Sequence, residues 1–218
     1  MNIKFLGHAS FLLTTNAGTR VITDPFDPDA YTGALKYSRI NEKADVVTIS
    51  HDHADHHATS LVGGEPLIIR GSGKFVAEGI DILGIPTYHD DEHGAQRGKN
   101  TVFVLSVDGL RVAHFGDLGH VLTGDQAAEV GSIDVALIPV GGFYTIDAKQ
   151  ATKVAEQVNA RVVIPMHYSN EKCSFPIAGV ESFIAGKPNV VRQGESAVDV
   201  NADELPSGRT IIVLEPSL

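Results

Sequence analysis

The apolar run Val46-Val47-Thr48-Ile49 passes directly into Ser50-His51-Asp52-His53-Ala54-Asp55-His56-His57. A short β-branched run of this kind reads as a buried strand, here Ala44–Ser50. Four histidines and two aspartates then crowd into the seven residues His51–His57. Imidazole and carboxylate are the donors that hold zinc and related divalent cations. Side chains alternate along extended backbone, so His51 and His53 can face one side and grip a single ion. Asp55 and His56 fall where the chain must turn, and can serve a second ion. A solvated turn that happens to be rich in histidine is the competing reading, and the dense spacing argues against it. Any fold for this chain must end a buried strand at this loop and bring further donors to it.

At 218 residues and 43% hydrophobic content the chain can bury a sizeable core, and 1–218 is taken as one domain. Against 17 basic residues stand 27 acidic ones, a formal charge of −10. That sign argues against broad binding to nucleic-acid phosphates and to anionic membrane surfaces. The lone Cys173 excludes an internal disulfide and fits a reducing cytoplasm. Met1-Asn2-Ile3-Lys4-Phe5 begins as a strand without a secretory apolar segment, and no apolar run has the ~20 residues of a membrane span. A soluble cytoplasmic protein acting on a small molecule is the expectation, with a homo-oligomer left open.

Ile3–Leu6 and Phe11–Thr15 read as strands, and Asn16-Ala17-Gly18 turns the chain back into Arg20–Thr23. Residues 29–43 have no period and are expected to form a surface loop. Pro66–Ile69 and Ile80–Ile85 are further short strands, followed by a polar loop Thr87–Lys99 holding His89 and His93. Thr101–Val107, Asp108-Gly109 and Leu110–Phe115 give the strongest hairpin signal. Thr123 with Gln126 and Asp147 with Gln150 are spaced as capping boxes, predicting helices at Thr123–Val130 and from Asp147 onward. Ile133–Pro139, Arg161–Pro165 and Thr210–Leu214 are predicted strands, with another helix near Ile177–Ala185. Strand-rich early and alternating later, this order suggests packed sheets with helices outside.

Several predicted strands end on a candidate donor: Phe115 leads to Asp117 and Pro165 to His167, while His89 follows Ile85. Two zinc ions need roughly six protein donors. His51, His53, Asp55 and His56 supply four, and His89, Asp117 and His167 would complete the set. Asp117 is best suited to bridge because a carboxylate has two oxygens. His93, four residues beyond His89, is the alternative ligand from that loop.

The segment His51-Asp52-His53-Ala54-Asp55-His56 resembles the His-x-His-x-Asp-His signature of the metallo-β-lactamase superfamily. Gly7-His8-Ala9-Ser10, Thr23-Asp24-Pro25, Tyr88-His89-Asp90, Phe115-Gly116-Asp117, Pro139-Val140-Gly141-Gly142 and Pro165-Met166-His167-Tyr168 follow in the order of one branch. That branch is similar to the L-ascorbate-6-phosphate lactonase-like hydrolases, relatives of the phospholipase D that cleaves N-acyl-ethanolamine lipids. The resemblance covers roughly Ile3 to Tyr168. It implies an α/β fold, a four-layer αββα sandwich with metals at one edge of its two sheets. It further implies that His51, His53 and His89 hold one metal and that Asp55, His56 and His167 hold the other, with Asp117 between them. The lactonases are longer, and the insertion of the superfamily's RNA-processing nucleases has no counterpart here.

His8 and Asp24 are read as groups behind the ligands, Asp24 orienting an imidazole through its far nitrogen; loop-fixing hydrogen bonds are the plainer alternative. Arg97 and Lys99 can meet an anionic substrate or simply decorate an exposed loop. Gly141 and Gly142 let backbone approach the site, or merely turn. His57 is expected in solvent, His120 beside the ligands and His114 inside a strand. Two divalent ions sharing a water generate a nucleophile at neutral pH and polarise a carbonyl or phosphoryl oxygen. Zinc is the first expectation, with manganese and iron accepted by the same donors. Asp55 would bind metal, orient the nucleophile and shuttle its proton. The expected function is a metal-dependent hydrolase of a small-molecule ester, lactone or phosphoester. A phosphodiesterase or nuclease, and a metal-binding protein without catalysis, are the alternatives.

Overall fold

A computed structural model describes all 218 residues, Met1–Leu218. The early chain builds β1 (Asn2–Gly7), β2 (Ser10–Thr14), β3 (Arg20–Thr23), β4 (Val46–Ile49) and β5 (Leu67–Arg70). The next strands are β6 (Gly73–Ala77), β7 (Ile80–Tyr88), β8 (Lys99–Val107) and β9 (Leu110–His114). They are followed by α1 (Gly124–Val130), β10 (Val135–Pro139), α2 (Ala148–Gln157) and β11 (Val162–Met166). The chain closes with α3 (Glu181–Ile184), β12 (Val190–Arg192), β13 (Ala197–Asp199) and β14 (Thr210–Val213). One sheet has the order β13-β1-β2-β3-β4-β5 and the other β12-β14-β11-β10-β9-β8-β7-β6. Both are mixed: β3, β4 and β5 run parallel, as do β9, β10, β11, β14 and β12, while the remaining neighbours are antiparallel.

The two-residue period of the strands sorts the core into two compartments. Phe5, Phe11, Val21 and Val46 face the second sheet, and join Phe103, Leu105 and Leu137 in the main core. Their chain neighbours Leu6, Leu12, Ile22 and Val47 point the other way into a smaller cluster. Leu35, Tyr37 and Ile40 cover that outer cluster, with Cys173 and Ile177. Residues 29–43 are thus partly a lid on the core and not purely a surface loop. Their apolar side chains sit at irregular intervals because an irregular backbone carries them. Gly7 has a φ of 138°, and a Cβ there would fall 2.7 Å from the Tyr37 ring, so the lid packs directly on backbone.

Both capping boxes form, each with the side-chain and backbone bonds reciprocated: Thr123 with Gln126 on α1, Asp147 with Gln150 on α2. α2 buries Ala151, Val154 and Ala155 and packs on β10 and α3; burying a valine side chain fully stabilises by about 1.5–3 kcal/mol. This is the expected α/β sandwich of two sheets, with loop 29–43 covering the outer face of the first. Elsewhere the boundaries shift. The helix expected at Ile177–Ala185 shrinks to the four residues Glu181–Ile184. Strand β7 runs on to Tyr88 and β8 starts at Lys99, so the His89 loop is tighter than its composition suggested. No helix is long and apolar enough to cross a membrane.

Candidate metal centre

One edge of the sandwich gathers the C-terminal ends of six strands. β1 ends beside His8, β3 at Asp24, β4 before His51, β7 before His89, β9 before Asp117 and β11 before His167. Loops leaving a rigid sheet at one edge are a usual way to hold several donors in fixed geometry. His8, Asp24 and His167 have left-handed backbones, with φ of 54°, 39° and 52°. Such positions cost on the order of 1–3 kcal/mol each and persist where packing over-determines them.

Two donor groups stand side by side. His51, His53 and His89 form one; His8, Asp55, His56 and His167 form the other, each with its donor atoms within 4.8 Å of one another. Asp117 lies between them: its Oδ2 is 3.2 Å from His89 Nε2, 3.3 Å from both His56 Nε2 and His167 Nε2, and 3.9 Å from His51 Nε2. His93, by contrast, is exposed and packs on Tyr88. His89 alone reaches the cluster from that loop.

Behind the first group of side chains lies a second set of bonds. Asp24 is completely buried and accepts from the Ser50 amide at 2.8 Å and from His56 Nδ1 at 2.9 Å. The Ser50 hydroxyl donates to the same carboxylate and accepts from His51 Nδ1 at 2.9 Å. Asp24 therefore sets the tautomer of one histidine in each group, leaving both Nε2 atoms free. The His8 ring donates through Nε2 to Asp55 Oδ2 at 3.0 Å. Asn100 Oδ1 accepts from the Asp117 amide, and a Cβ on Gly116 would lie 2.4 Å from that oxygen. At Gly141 a Cβ would lie 2.3 Å from the His167 carbonyl, so this glycine does permit close backbone approach. His120 accepts from the Tyr88 amide and His114 donates to the Ala9 carbonyl, both acting as pins for loops. His57 is half-exposed, near Asp52.

The electrostatics describe a site short of positive charge. Burial opposes ionisation of Asp117, yet His167, His56 and His89 hold its carboxyl well below the usual range. Burial likewise opposes a charge on His56, but Asp117 and Asp55 outweigh it and keep that imidazole protonated well above its ordinary pKa. His51 is driven down to about 3 and His8 to about 4, both chiefly by burial. The Nε2 atoms of His51 and His56 and the Oδ1 of Asp117 are buried without a hydrogen-bond partner. A protonated His56 here balances Asp117 and Asp55; ionised carboxylates, the neutral His51 and orphaned donor atoms are the chemistry that divalent cations satisfy.

A cavity of about 230 Å³ opens over the cluster, walled by Tyr31, Tyr144, Phe175 and Arg97. Arg97 lies over the Tyr144 ring at 5.7 Å. Tyr31 is raised to about 12 by burial and by Asp55 beside it. Tyr31, Tyr144, Phe175, Ser50 and Asn100 were not singled out from the sequence. Ser50 adjoins the histidine motif and was the one within reach. Lys99 lies outside this cavity, in a neighbouring cleft.

Geometry of this kind defines a class: an α/β sandwich with two adjoining His/Asp donor groups at one sheet edge. A family model described as a beta-lactamase superfamily domain matches residues 2–167. A UPF0173 metal-dependent hydrolase of Thermococcus kodakarensis is 30% identical over 201 residues, spanning 78% of this chain and 85% of its own. Another, from Methanoregula boonei, is 32% identical over 209 residues, covering 84% and 90%. The crystal structure of a proposed zinc-dependent hydrolase of the metallo-β-lactamase superfamily from Thermotoga maritima is 41% identical, with 98% of each chain covered and a TM-score of 0.81. The chain belongs to the metallo-β-lactamase superfamily.

Proposed function

We propose that this metal-dependent hydrolase cleaves an ester, lactone or phosphoester bond of a small molecule at a pair of divalent cations, zinc before manganese or iron. The observation that carries this reading is Asp117 Oδ2, within 3.2–3.9 Å of four imidazoles drawn from two donor groups. In this reading His51, His53 and His89 would hold one cation and Asp55, His56 and His167 the other, with Asp117 available to both. Bound there, the cations would supply Lewis acidity toward water and toward the scissile carbonyl or phosphoryl group.

The chain's own groups do the rest. Asp24 holds His56 directly and His51 through Ser50, so neither ring can turn its nitrogen away. His8 fixes Asp55, whose Oδ atoms face the cavity; that carboxylate can take a proton from the attacking water and return it to the leaving group. Tyr31, Tyr144 and Phe175 wall off water from one side. We take all of 1–218 as the working domain, since the main core draws on residues from Met1 to Leu214. The buried free thiol of Cys173 suits a reducing cytoplasm.

The test is metal analysis of the purified protein followed by a panel of esters, lactones and phosphodiesters. About two ions per chain and turnover of at least one class are expected. A metal-loaded protein inert across the panel would overturn the catalytic reading.

A further inference from the structure

Beside the metal-facing cavity lies a second, larger cleft of about 550 Å³, whose charged lining is Arg70, Arg97, Lys99 and Asp52. His53 and Arg97 wall both spaces, so one ligand can occupy the two together. In a chain of net charge −10, three cations against one carboxylate form a local reversal of sign. Asp52 is engaged by Arg70. Arg97 and Lys99 take part in none of the chain's ion pairs.

Arg97 is also held in place without its charge being spent. The buried Asp90 carboxylate accepts from the amides of Glu92, Gly94, Gln96 and Arg97 at 2.7–3.0 Å. That carboxylate is consumed by backbone donors, which fold the loop tightly and leave the Arg97 guanidinium over Tyr144. A fixed guanidinium with unused donors is a receptor for carboxylate or phosphate oxygens.

We infer that the cleft of Arg97, Lys99 and Arg70 is an anion subsite, and that the substrate carries a carboxylate or phosphate group remote from the bond that is cleaved. The inference rests on the hydrolase reading for the position of that bond, but the anion site itself does not depend on turnover.

Two measurements separate the claims. Benzenesulfonate is a weak metal ligand, and its binding can be followed by NMR titration with neutral benzyl alcohol as control. The wild-type protein should bind the sulfonate and not the alcohol. An Arg97→Gln/Lys99→Gln variant should bind it about tenfold more weakly or worse, the scale of lost hydrogen bonds to charged groups, with unchanged metal content. Arg97→Lys/Lys99→Arg should recover part of the affinity. Next, kcat/KM is compared for phenyl acetate, 4-acetoxybenzoate and 4-acetoxyphenyl phosphate. The wild type should favour a charged ester, the preferred one telling carboxylate from phosphate, and the Gln variant should bring the ratios toward one. No sulfonate binding by the wild type, or equal binding by the Gln variant, overturns the anion site. Ratios that do not move overturn its role in substrate choice. Sulfonate binding with no turnover of any substrate would instead count against the hydrolase reading and leave the anion site standing.

Discussion

The two donor groups that meet at Asp117 are built differently. His8, Asp55, His56 and His167 are all buried, and their rings and carboxylates are braced by Asp24, by one another and by the backbone at Gly141. In the other group, His51 and His89 are buried, but His53 is half-buried and borders the open cleft. One half is closely packed and the other borders open space. Both line the cavity, through Asp55 and His167 on one side and His53 and His89 on the other, but only the second also opens on the larger cleft.

The strongest way to break this division is through the group the halves share. Asp117→Ala should strip both ions together and reduce hydrolysis by more than the ~10–100-fold typical of groups behind the ligands. Elemental analysis showing both ions at normal affinity would sink its bridging role. His53→Ala should instead remove one ion, leave the buried half loaded, and still abolish turnover; full activity in that variant would end the two-ion scheme. Asp24→Ala comes next. Because it reaches His56 directly and His51 through Ser50, metal affinity should drop about 10–100-fold in both halves. A loss confined to the buried half would mean that the Ser50 relay carries no weight.

How much of this was legible depends on whether the signal was local. His51, His53, Asp55 and His56 were plain because they are consecutive and leave an apolar strand. Both capping boxes were plain for the same reason, since a cap and its partner are three residues apart. His89, Asp117 and His167 could be nominated from strand ends, but only packing of two sheets could bring them together. Tyr31 and Phe175 carried no such mark, for their role comes from meeting across 144 residues of chain, ring centroids 5.4 Å apart. The lid residues Leu35, Tyr37 and Ile40 follow no helical or strand period, so their burial was invisible. Strands β6, β12 and β13 went unread because they are short, edge-lying and mostly exposed on at least one face.

Gly141→Ala tests the stiffness of the buried half more gently. The added Cβ would press on the His167 carbonyl at 2.3 Å, against backbone that cannot swing aside. Overpacking of this sort costs about 1–3 kcal/mol, readable as a lower urea midpoint. If the buried half is the rigid one, the accompanying loss of metal should fall on one ion only. Equal loss of both would show that the halves yield together.

The smallest expected effect is a pH slope. His114 is wholly buried, and burial lowers its pKa from the ordinary 6.5 despite Asp24 nearby, while its Nε2 donates to Ala9 O beside His8. Since the folded pKa lies below the unfolded one, acid is taken up first by the unfolded chain. The stabilisation from a neutral His114 is therefore complete above about pH 6.5 and is lost progressively as pH falls toward the folded value. In chelator-treated protein, resistance to urea should fall as pH drops below about 6.5, the ordinary value from which this pKa is lowered. His114→Gln keeps an N–H donor for Ala9 and removes the titration, so it should flatten that slope by up to about 1.4 kcal/mol per pH unit, one proton's worth. His8 and His51, also lowered by burial, would keep the remainder of the slope. An unaltered slope in the Gln variant would mean that this pin is not held neutral, and that the buried half is softer around Ala9 and His8 than its packing implies.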